Sequence, residues 1–589
     1  MLEELDCGRA KWSHFHLKHL GRNGIRYLTQ LFNLSVQNAD IPAIWRQANL
    51  IPLPKPGKPP DQGTSFRPIA LLCPEIKIQE KMMLPTFSAS LTLNQHQHGF
   101  RAGRSTVSAL IPLATSIACG FNQPKPAART GLLSVDFSKA FDVLERDQLL
   151  KKIDETDLDP NYKRWLVVYL RDFRVRVLYQ GAFSKFMKSK FGVPQGGVLS
   201  PGLYNFFSAD NKPVVADVNE GFADDNHSAV TVRRDSPGET IDVINSKLSQ
   251  SAAEYGDWAD ANGMSVSAEK STLTLFTPWT TQHKIHLAAS FKQGPPGKLI
   301  KTEKNPTLLG VKFDPGFTFC AHAADVARRA SARLKIIRAL ADTTFGKDRE
   351  CLLATYRSLI RPIINYAAPI VYPNYSASSL DLLQRGLRLA LGCHAASAVD
   401  FLHAEAKELK VEPHLRLLTA QYLARALQPH HVNHDQAILD PGPRRLRETF
   451  RSKTFDLVQP FLNELNLVTP GTYPAIKNAL HTAVVEQAVD DLAPNRVLNG
   501  RPPLVYPNDV LLPRITQTTL TQLRSGHCAR LKDFQLRIGK AADDLCPDCR
   551  GAAQSTCHLF DCPSFPTSLA PIDLWENPWD AAIFIQQTP

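Results

Sequence analysis

The chain has 589 residues, with 68 Lys plus Arg against 56 Asp plus Glu, a net charge of +12, 21% charged residues and 43% apolar ones. That composition is globular, with length for roughly two to four domains, and it excludes a disordered acidic chain, a collagen-like repeat and a tiny disulfide-stapled fold. The eleven cysteines are sparse and odd in number, which favours a reducing compartment with Cys kept as thiols or metal ligands. No apolar run reaches the roughly 18 residues of a membrane helix, and the opening MLEELDCGRAKWSHFH has no basic flank followed by an apolar run. Neither a membrane partner nor a secretory signal is therefore expected. The positive balance suits a polyanionic partner.

Residues 1–45 read as a short helical extension, from the apolar spacing of LKHLGRNGIRYLTQLFNLSVQ. IPLPKPGKPPDQGTSFRPIALL then reads as Pro-rich loops, because its Pro and Gly forbid a long helix. The apolar run LLSVDF at 132–137 predicts a buried strand with Asp136 at its C-terminal end. DQLLKKI and NYKRWLVVYLRDF predict helices, and RVRVLYQ predicts a half-buried strand. SPGLYNFFSAD predicts a helix with Pro201 near its first turn, and EGFADDNHSAVTV a hairpin with Asp224 and Asp225 at its turn. INSKLSQSAAEYGDWADANG predicts a helix stopping at Gly263, and STLTLF and TLLGVKFD two more strands. The sum is an α+β fold with a mostly antiparallel sheet. After residue 315 the pattern turns helical: 316–430 reads as a helical domain, 431–510 as a linker or irregular helical region, and 511–589 as a small Cys-containing module.

Asp136, Asp224 and Asp225 form a candidate catalytic constellation. Nucleotidyl transfer can use two divalent cations about 4 Å apart, and hard Mg2+ takes carboxylate and phosphate oxygens. On composition alone an Asp-Asp pair is as readily a surface turn. The surrounding blocks decide between these readings, because in order they resemble the reverse transcriptase of non-LTR (LINE-type) retrotransposons, closest to the jockey-like clade. FRPIALLCPEIKIQEKMM at 66–83 resembles the fingers segment, and HGFRAGRSTVSAL at 98–110 the block after it. LLSVDFSKAFDVLERDQLL resembles the first catalytic motif, GVPQGGVLSPGLYN at 192–205 the template- and nucleotide-positioning motif, and FADDN the aromatic-Ala-Asp-Asp motif. SAEKSTLTLF carries Lys270 at the next motif's lysine, and TLLGVKFD resembles the primer grip.

The resemblance implies a right-hand polymerase fold: fingers and palm over 46–315, a helical thumb-like region over 316–430, and a zinc knuckle within 511–589. It implies an RNA-directed DNA polymerase that extends a DNA primer with dNTPs on an RNA template, the element RNA included. Two Mg2+, replaceable by Mn2+, would be held by Asp136, Asp224 and Asp225. Phe141 would pack under the incoming sugar and disfavour a 2′ hydroxyl, and Gln195 with Gly196 would place the template–nucleotide pair. Lys55 and Arg67 would hold the triphosphate, and Lys270 would protonate or orient the leaving pyrophosphate. A core aromatic, a tight turn and solvated basic residues are the structural alternatives at these positions. Such an enzyme works inside the cell, in cytoplasm and nucleus.

Residues 161–190 carry eight Lys or Arg interleaved with Trp165, Tyr169, Phe173 and Tyr179. They read either as a base-stacking, phosphate-tracking surface or as core aromatics beside a solvated basic face. Arg328, Arg329, Arg333, Lys335 and Arg338 read equally as a nucleic-acid contact in the thumb-like region or as a solvated helix face. Near the C-terminus, Cys546-x2-Cys549-x8-His558-x3-Cys562 has the ligand types and spacing of one tetrahedral Zn2+ site, with Cys557 a poorer alternative.

Two departures from the family stand out. Relatives carry an apurinic-type endonuclease before the polymerase, whereas only residues 1–45 precede it here. The expectation is a fragment, an element-derived gene or a truncated gene model, with a separate endonuclease or an upstream element-encoded region as a partner. The approach to the acidic pair, DVNEG, is also polar where an apolar strand is expected, which predicts a weakened hairpin.

Overall fold

The helical spacing of the N-terminal extension folds as α1 (Arg22–Asn38), whose Phe32 packs on Trp45 with ring centroids 5.5 Å apart. In this computed structural model the Pro-rich stretch is more ordered than loops. It forms an antiparallel hairpin of β1 (Gln47–Pro54) and β2 (Phe66–Leu71). Pro52 and Pro68 face each other across it, and on the other side of β1 pairing stops at Leu50 opposite Val177. The prolines stand where no neighbouring strand requires an N–H, the setting in which a strand tolerates them.

Then come α2 (Pro74–Ser90), α3 (Thr106–Asn122), β3 (Arg129–Asp136), α4 (Arg146–Asp154), α5 (Pro160–Arg171) and β4 (Arg174–Tyr179). The short β5 (Ala182–Phe183) and β6 (Met187–Lys188), α6 (Ser200–Phe207), β7 (Val218–Phe222), β8 (Asp225–Val232), α7 (Pro237–Ala261), β9 (Thr272–Phe276) and β10 (Lys301–Thr302) follow. One sheet has the order β2–β1–β4–β5, with β6 also on β4; the other is β10–β9–β3–β8–β7, antiparallel except between β9 and β10. TLLGVKFD is not one strand. Thr307–Leu308 and Val311–Lys312 are separated by Leu309 and Gly310, both at positive φ (44° and 82°).

β3 is the centre of the second sheet, and Leu132, Leu133 and Val135 are all buried. On one face the Thr130 and Thr231 hydroxyls meet at 2.9 Å, and Thr231 also meets Ser116 of α3. On the other face Gly131 lies so close to Ile244 of α7 that a Cβ would collide. Successive residues of a strand face opposite ways, so helices cover both faces. That is why the consecutive residues Leu132 and Leu133, on opposite faces, are both apolar and buried.

The aromatic alternative for 161–190 resolves toward the core. Trp165, Tyr169 and Phe173 are buried, Trp165 stacks on Tyr169 at 4.9 Å, and of the four only Tyr179 is exposed.

The structure describes residues 17–292, 299–341, 346–383, 387–439, 442, 446–465, 472–503 and 511–588. The segment read for a leader, 1–16, and the end of the expected linker, 504–510, lie outside them. The chain divides into two compact units, Met1–Leu309 and Gly310–Pro589. Beyond Lys312 the second unit contains helices and isolated bridges among its described residues. Its principal helices are α8 (Cys320–Leu340), α9 (Arg349–Leu359), α10 (Val411–Ala426), α11 (Phe450–Val458), α12 (Thr472–Asp490), α13 (Arg514–Arg524), α14 (Thr556–Asp561) and α15 (Pro578–Gln587). The stretch 431–510, expected to be loose, places α11 and α12 against α10 and buries Phe450, Val458, Ile476 and Leu480. On α8, Arg328, Arg329, Arg333, Lys335 and Arg338 are all exposed. No helix among the described residues is long and apolar enough to cross a membrane.

Candidate active site and candidate metal centre

β3 ends on Asp136, and its antiparallel register with β8 sets Asp136 directly opposite Asp225. β7 and β8 pair up to Phe222 opposite Asp225, so Ala223 and Asp224 form a two-residue turn. All three carboxylates thus belong to neighbouring positions on one sheet end. Lys270 Nζ lies 2.8 Å from Asp136 Oδ1.

The polar approach is partnered rather than weak. Glu220 is buried and its Oε2 lies 2.7 Å from His98 Nε2, with His96 Nδ1 3.3 Å from Oε1. Burial pushes the His98 imidazole below its ordinary pKa range, opposed by its hydrogen bond to Glu220. A neutral ring donating from Nε2 to the carboxylate satisfies both, while Ser108 Oγ sits 2.7 Å from Nδ1. Asn219 Oδ1 accepts from Ser228 Oγ at 2.6 Å, and Asp217 Oδ2 accepts from Thr231 N at 2.7 Å.

Charge crowding follows from this geometry. Partial desolvation at the turn, then Asp224, then Asp136 push Asp225 up to about 6, with Lys270 opposing; desolvation first and Asp136 later also raise Asp224. The folded chain therefore binds a proton at Asp225 where the unfolded one, near 3.8, has lost it. Stability falls as pH rises through that window, and the penalty persists at neutral pH. Removing the charge should relieve it. In chelator at neutral pH, Asp225→Asn is expected to melt about 2–4 °C higher, roughly 1 kcal/mol after allowing for the solvent that reaches this side chain. Calorimetry checks this, and an unchanged or lower melting temperature would count against crowding as a stability cost.

The GVPQGG loop is held from several sides. Ala70 N donates to Gln195 O at 2.7 Å, and at Gly196, with φ 133°, a Cβ would collide with the Ala70 carbonyl. Gln195 Nε2 donates to Asp142 Oδ1 at 2.6 Å. The buried Glu80 accepts from Val198 N at 2.5 Å and from Tyr169 OH at 2.8 Å. Arg146 donates to the carbonyls of Gly192, Ser189 and Phe191. Phe141 stacks on Tyr204 with centroids 4.3 Å apart and meets Phe100 edge-on at 6.2 Å. Lys55 Nζ donates to Thr64 O at 2.9 Å within its own hairpin. Arg67 is exposed. Even so, the charge of Lys55 favours the ionised Asp142, and that of Arg67 the ionised Asp224. Gln97, His98, Glu80, Arg146 and Tyr204 were not singled out from the sequence, and Glu220 stood out only as part of the polar DVNEG run. Each acts through a partner far along the chain.

In the second unit, Cys546, Cys549, His558 and Cys562 bring their ligand atoms within 4.8 Å of one another. Cys546 Sγ and Cys562 Sγ are 3.9 Å apart, and Cys549 Sγ and His558 Nε2 3.2 Å. Tetrahedral Zn2+ with Zn–S of about 2.3 Å spaces two sulfurs about 3.8 Å apart, so the cluster fits a metal ion of that kind. Cys557 Sγ instead points to Val497 O at 3.4 Å. The cluster can chelate a metal.

Residues 53–313 match the protein family described as reverse transcriptase (RNA-dependent DNA polymerase). The chain is 27% identical over 459 residues to the probable RNA-directed DNA polymerase from transposon BS of Drosophila melanogaster, covering 74% of this chain and 48% of that protein. It is 27% identical over 449 residues to the probable RNA-directed DNA polymerase from transposon X-element of the same fly, covering 73% and 47%. It is 25% identical over 366 residues to the RNA-directed DNA polymerase from the fly's mobile element jockey, covering 60% and 38%. The chain thus spans about half the length of the first two relatives or less of the third. Among solved structures, apo telomerase from Candida tropicalis truncated from its C-terminal domain overlaps 49% of this chain and 59% of that one, at 13% identity and a TM-score of 0.30. Residues 53–313 form an α+β domain of the reverse transcriptase type, related at 24–27% identity to the polymerases of these mobile elements.

Proposed function

We propose that the chain is the RNA-directed DNA polymerase of a non-LTR, jockey-like retrotransposon, extending a DNA primer with dNTPs on an RNA template. The observation that carries this is the β3–β8 register, which sets Asp136 against Asp225 with Asp224 in the adjoining turn. Three carboxylates against one ammonium make a hard-oxygen donor set short of positive charge, the chemistry that Mg2+ suits. Asp136, Asp224 and Asp225 would hold two Mg2+, or Mn2+ in their place, which when bound supply Lewis acidity to the primer hydroxyl and the transferring phosphoryl group.

The remaining roles belong to the chain. Lys270, resting on Asp136, orients or protonates pyrophosphate as it leaves. Phe141, backed by Tyr204, offers a rigid ring under the incoming sugar. Gln195, steadied by Asp142, and Gly196, pressed against Ala70, shape the floor for the template–nucleotide pair. Lys55 and Arg67 direct positive charge toward the triphosphate. Fingers and palm occupy 46–315, a thumb-like region 316–430, and the knuckle, with one Zn2+, lies in 511–589. The element RNA is the natural template, a separate or upstream-encoded endonuclease the partner, and cytoplasm and nucleus the workplace.

Purified chain with an annealed RNA template and DNA primer should incorporate dNTPs in Mg2+. A protein that binds primer–template yet extends it in neither Mg2+ nor Mn2+ would overturn the reading and leave a nucleic-acid binder.

A further inference from the structure

The acidic turn does not hold its own shape. Ala223, its first residue, stands at φ 60°, a left-handed conformation that a residue with a Cβ adopts only under strain. Both backbone polar groups of Ala223 are taken by one side chain from far along the sequence. The buried Gln97 donates from Nε2 to Ala223 O at 2.9 Å and accepts at Oε1 from Ala223 N at 2.8 Å. The same oxygen accepts from Gly99 N at 3.0 Å, which fixes the way the amide faces. On either side of it, His98 N donates to Gly221 O and Gly221 N to His96 O, both at 2.8 Å. Gly99 runs so close to the turn that a Cβ there would collide with Ala223 N.

We propose that Gln97 is a positioning residue: its carboxamide locks the Ala223–Asp224 turn so that Asp225 stays opposite Asp136 with Asp224 beside it, and thereby sets the site's affinity for divalent cations. This rests on the metal-binding reading above and adds to it a residue outside the acidic hairpin. Only an amide can fill the part, because it presents a donor and an acceptor side by side, as a peptide group does. A carboxylate of the same shape would set a second acceptor against the Ala223 carbonyl. Without the amide, two buried backbone groups lose their partner and the turn is released from its strained φ.

Three measurements on the full chain test the lock: Mn2+ binding by electron paramagnetic resonance, hydrogen exchange at the Ala223 amide, and primer–template binding by fluorescence anisotropy. Gln97→Ala should weaken Mn2+ binding about 10- to 100-fold, the usual range for residues that orient metal ligands. It should speed exchange of the Ala223 N–H and leave primer–template affinity unchanged. Gln97→Glu, which keeps the shape and volume, should weaken Mn2+ binding in the same direction. In an Ala223→Gly background, where positive φ carries no strain, the loss caused by Gln97→Ala should be smaller. Wild-type Mn2+ affinity in Gln97→Ala, or an equal loss in both backgrounds, would overturn the proposal. If wild type and Asp224→Asn bind Mn2+ alike, the metal reading fails instead. The lock is then decided by exchange at Ala223, and a rate unchanged by Gln97→Ala refutes it.

Discussion

Asp224→Asn is expected to lower primer extension by orders of magnitude while primer–template affinity stays nearly constant. The substitution keeps the side-chain volume and leaves the backbone bonds of the turn in place, those of Gln97 to Ala223 and that of Asn226 Nδ2 to Asp224 O. It removes one negative charge from a set of three and, on the proposed function, an oxygen ligand on which charge stabilisation of the transferring phosphoryl would depend. Affinity for primer–template should come mainly from Lys and Arg contacts to phosphates, be steeply salt-dependent, and be indifferent to this carboxylate. Extension on a gel and anisotropy on the same preparation separate the two quantities. Equal extension by wild type and variant would place any observed synthesis elsewhere than at this hairpin.

Cys546→Ser is expected to abolish zinc binding and unfold the end of the chain. His558 lies within the six-residue α14 and Cys562 caps it, so two of four ligands flank Phe560, which packs in a core with Leu520, Leu523 and Trp575. A helix of six residues is far too short to persist alone, and the metal would be its principal tie to the Cys546–Cys549 turn. Structural zinc contributes about 10–16 kcal/mol in small zinc modules, larger than the whole stability of a typical domain. Wild-type protein prepared under reducing conditions should contain one zinc per chain by metal analysis. Cys546→Ser should contain none and should lose protease resistance after about residue 540. A variant with full zinc and an unchanged digestion pattern would refute this.

The parts of this molecule that were legible in its sequence are the locally written ones. LLSVDF announces a buried strand ending in a carboxylate, and FADDN a hairpin, because strand and turn chemistry act over a few residues. The Cys and His ligands could be read because they lie within 17 consecutive positions, Cys546 to Cys562. Trp165, Tyr169 and Phe173 left burial and base stacking equally open, because a four-residue spacing puts aromatics on one face without saying what covers it; the fold buries all three. What escaped is tertiary. β1 and β2 looked like loops because nothing in IPLPKP tells that the neighbouring strand stops pairing at Leu50. DVNEG looked like a weak strand because the partner of Glu220 is 122 residues away at His98. Gln97 looked like one polar residue among NQHQH, and only the fold brings its amide to Ala223.

The His98–Glu220 contact also bears on heredity. Two buried groups that satisfy each other are costly to exchange one at a time: an apolar residue at 220 leaves His98 Nε2 without its acceptor, and one at 98 leaves Glu220 only its longer contact to His96. A recombination crossover anywhere between Ser108 and Val218 would hand the two halves of this contact to different parents. Where the parents differ at 98 or 220, shuffled progeny should keep the fold chiefly when both ends come from one parent.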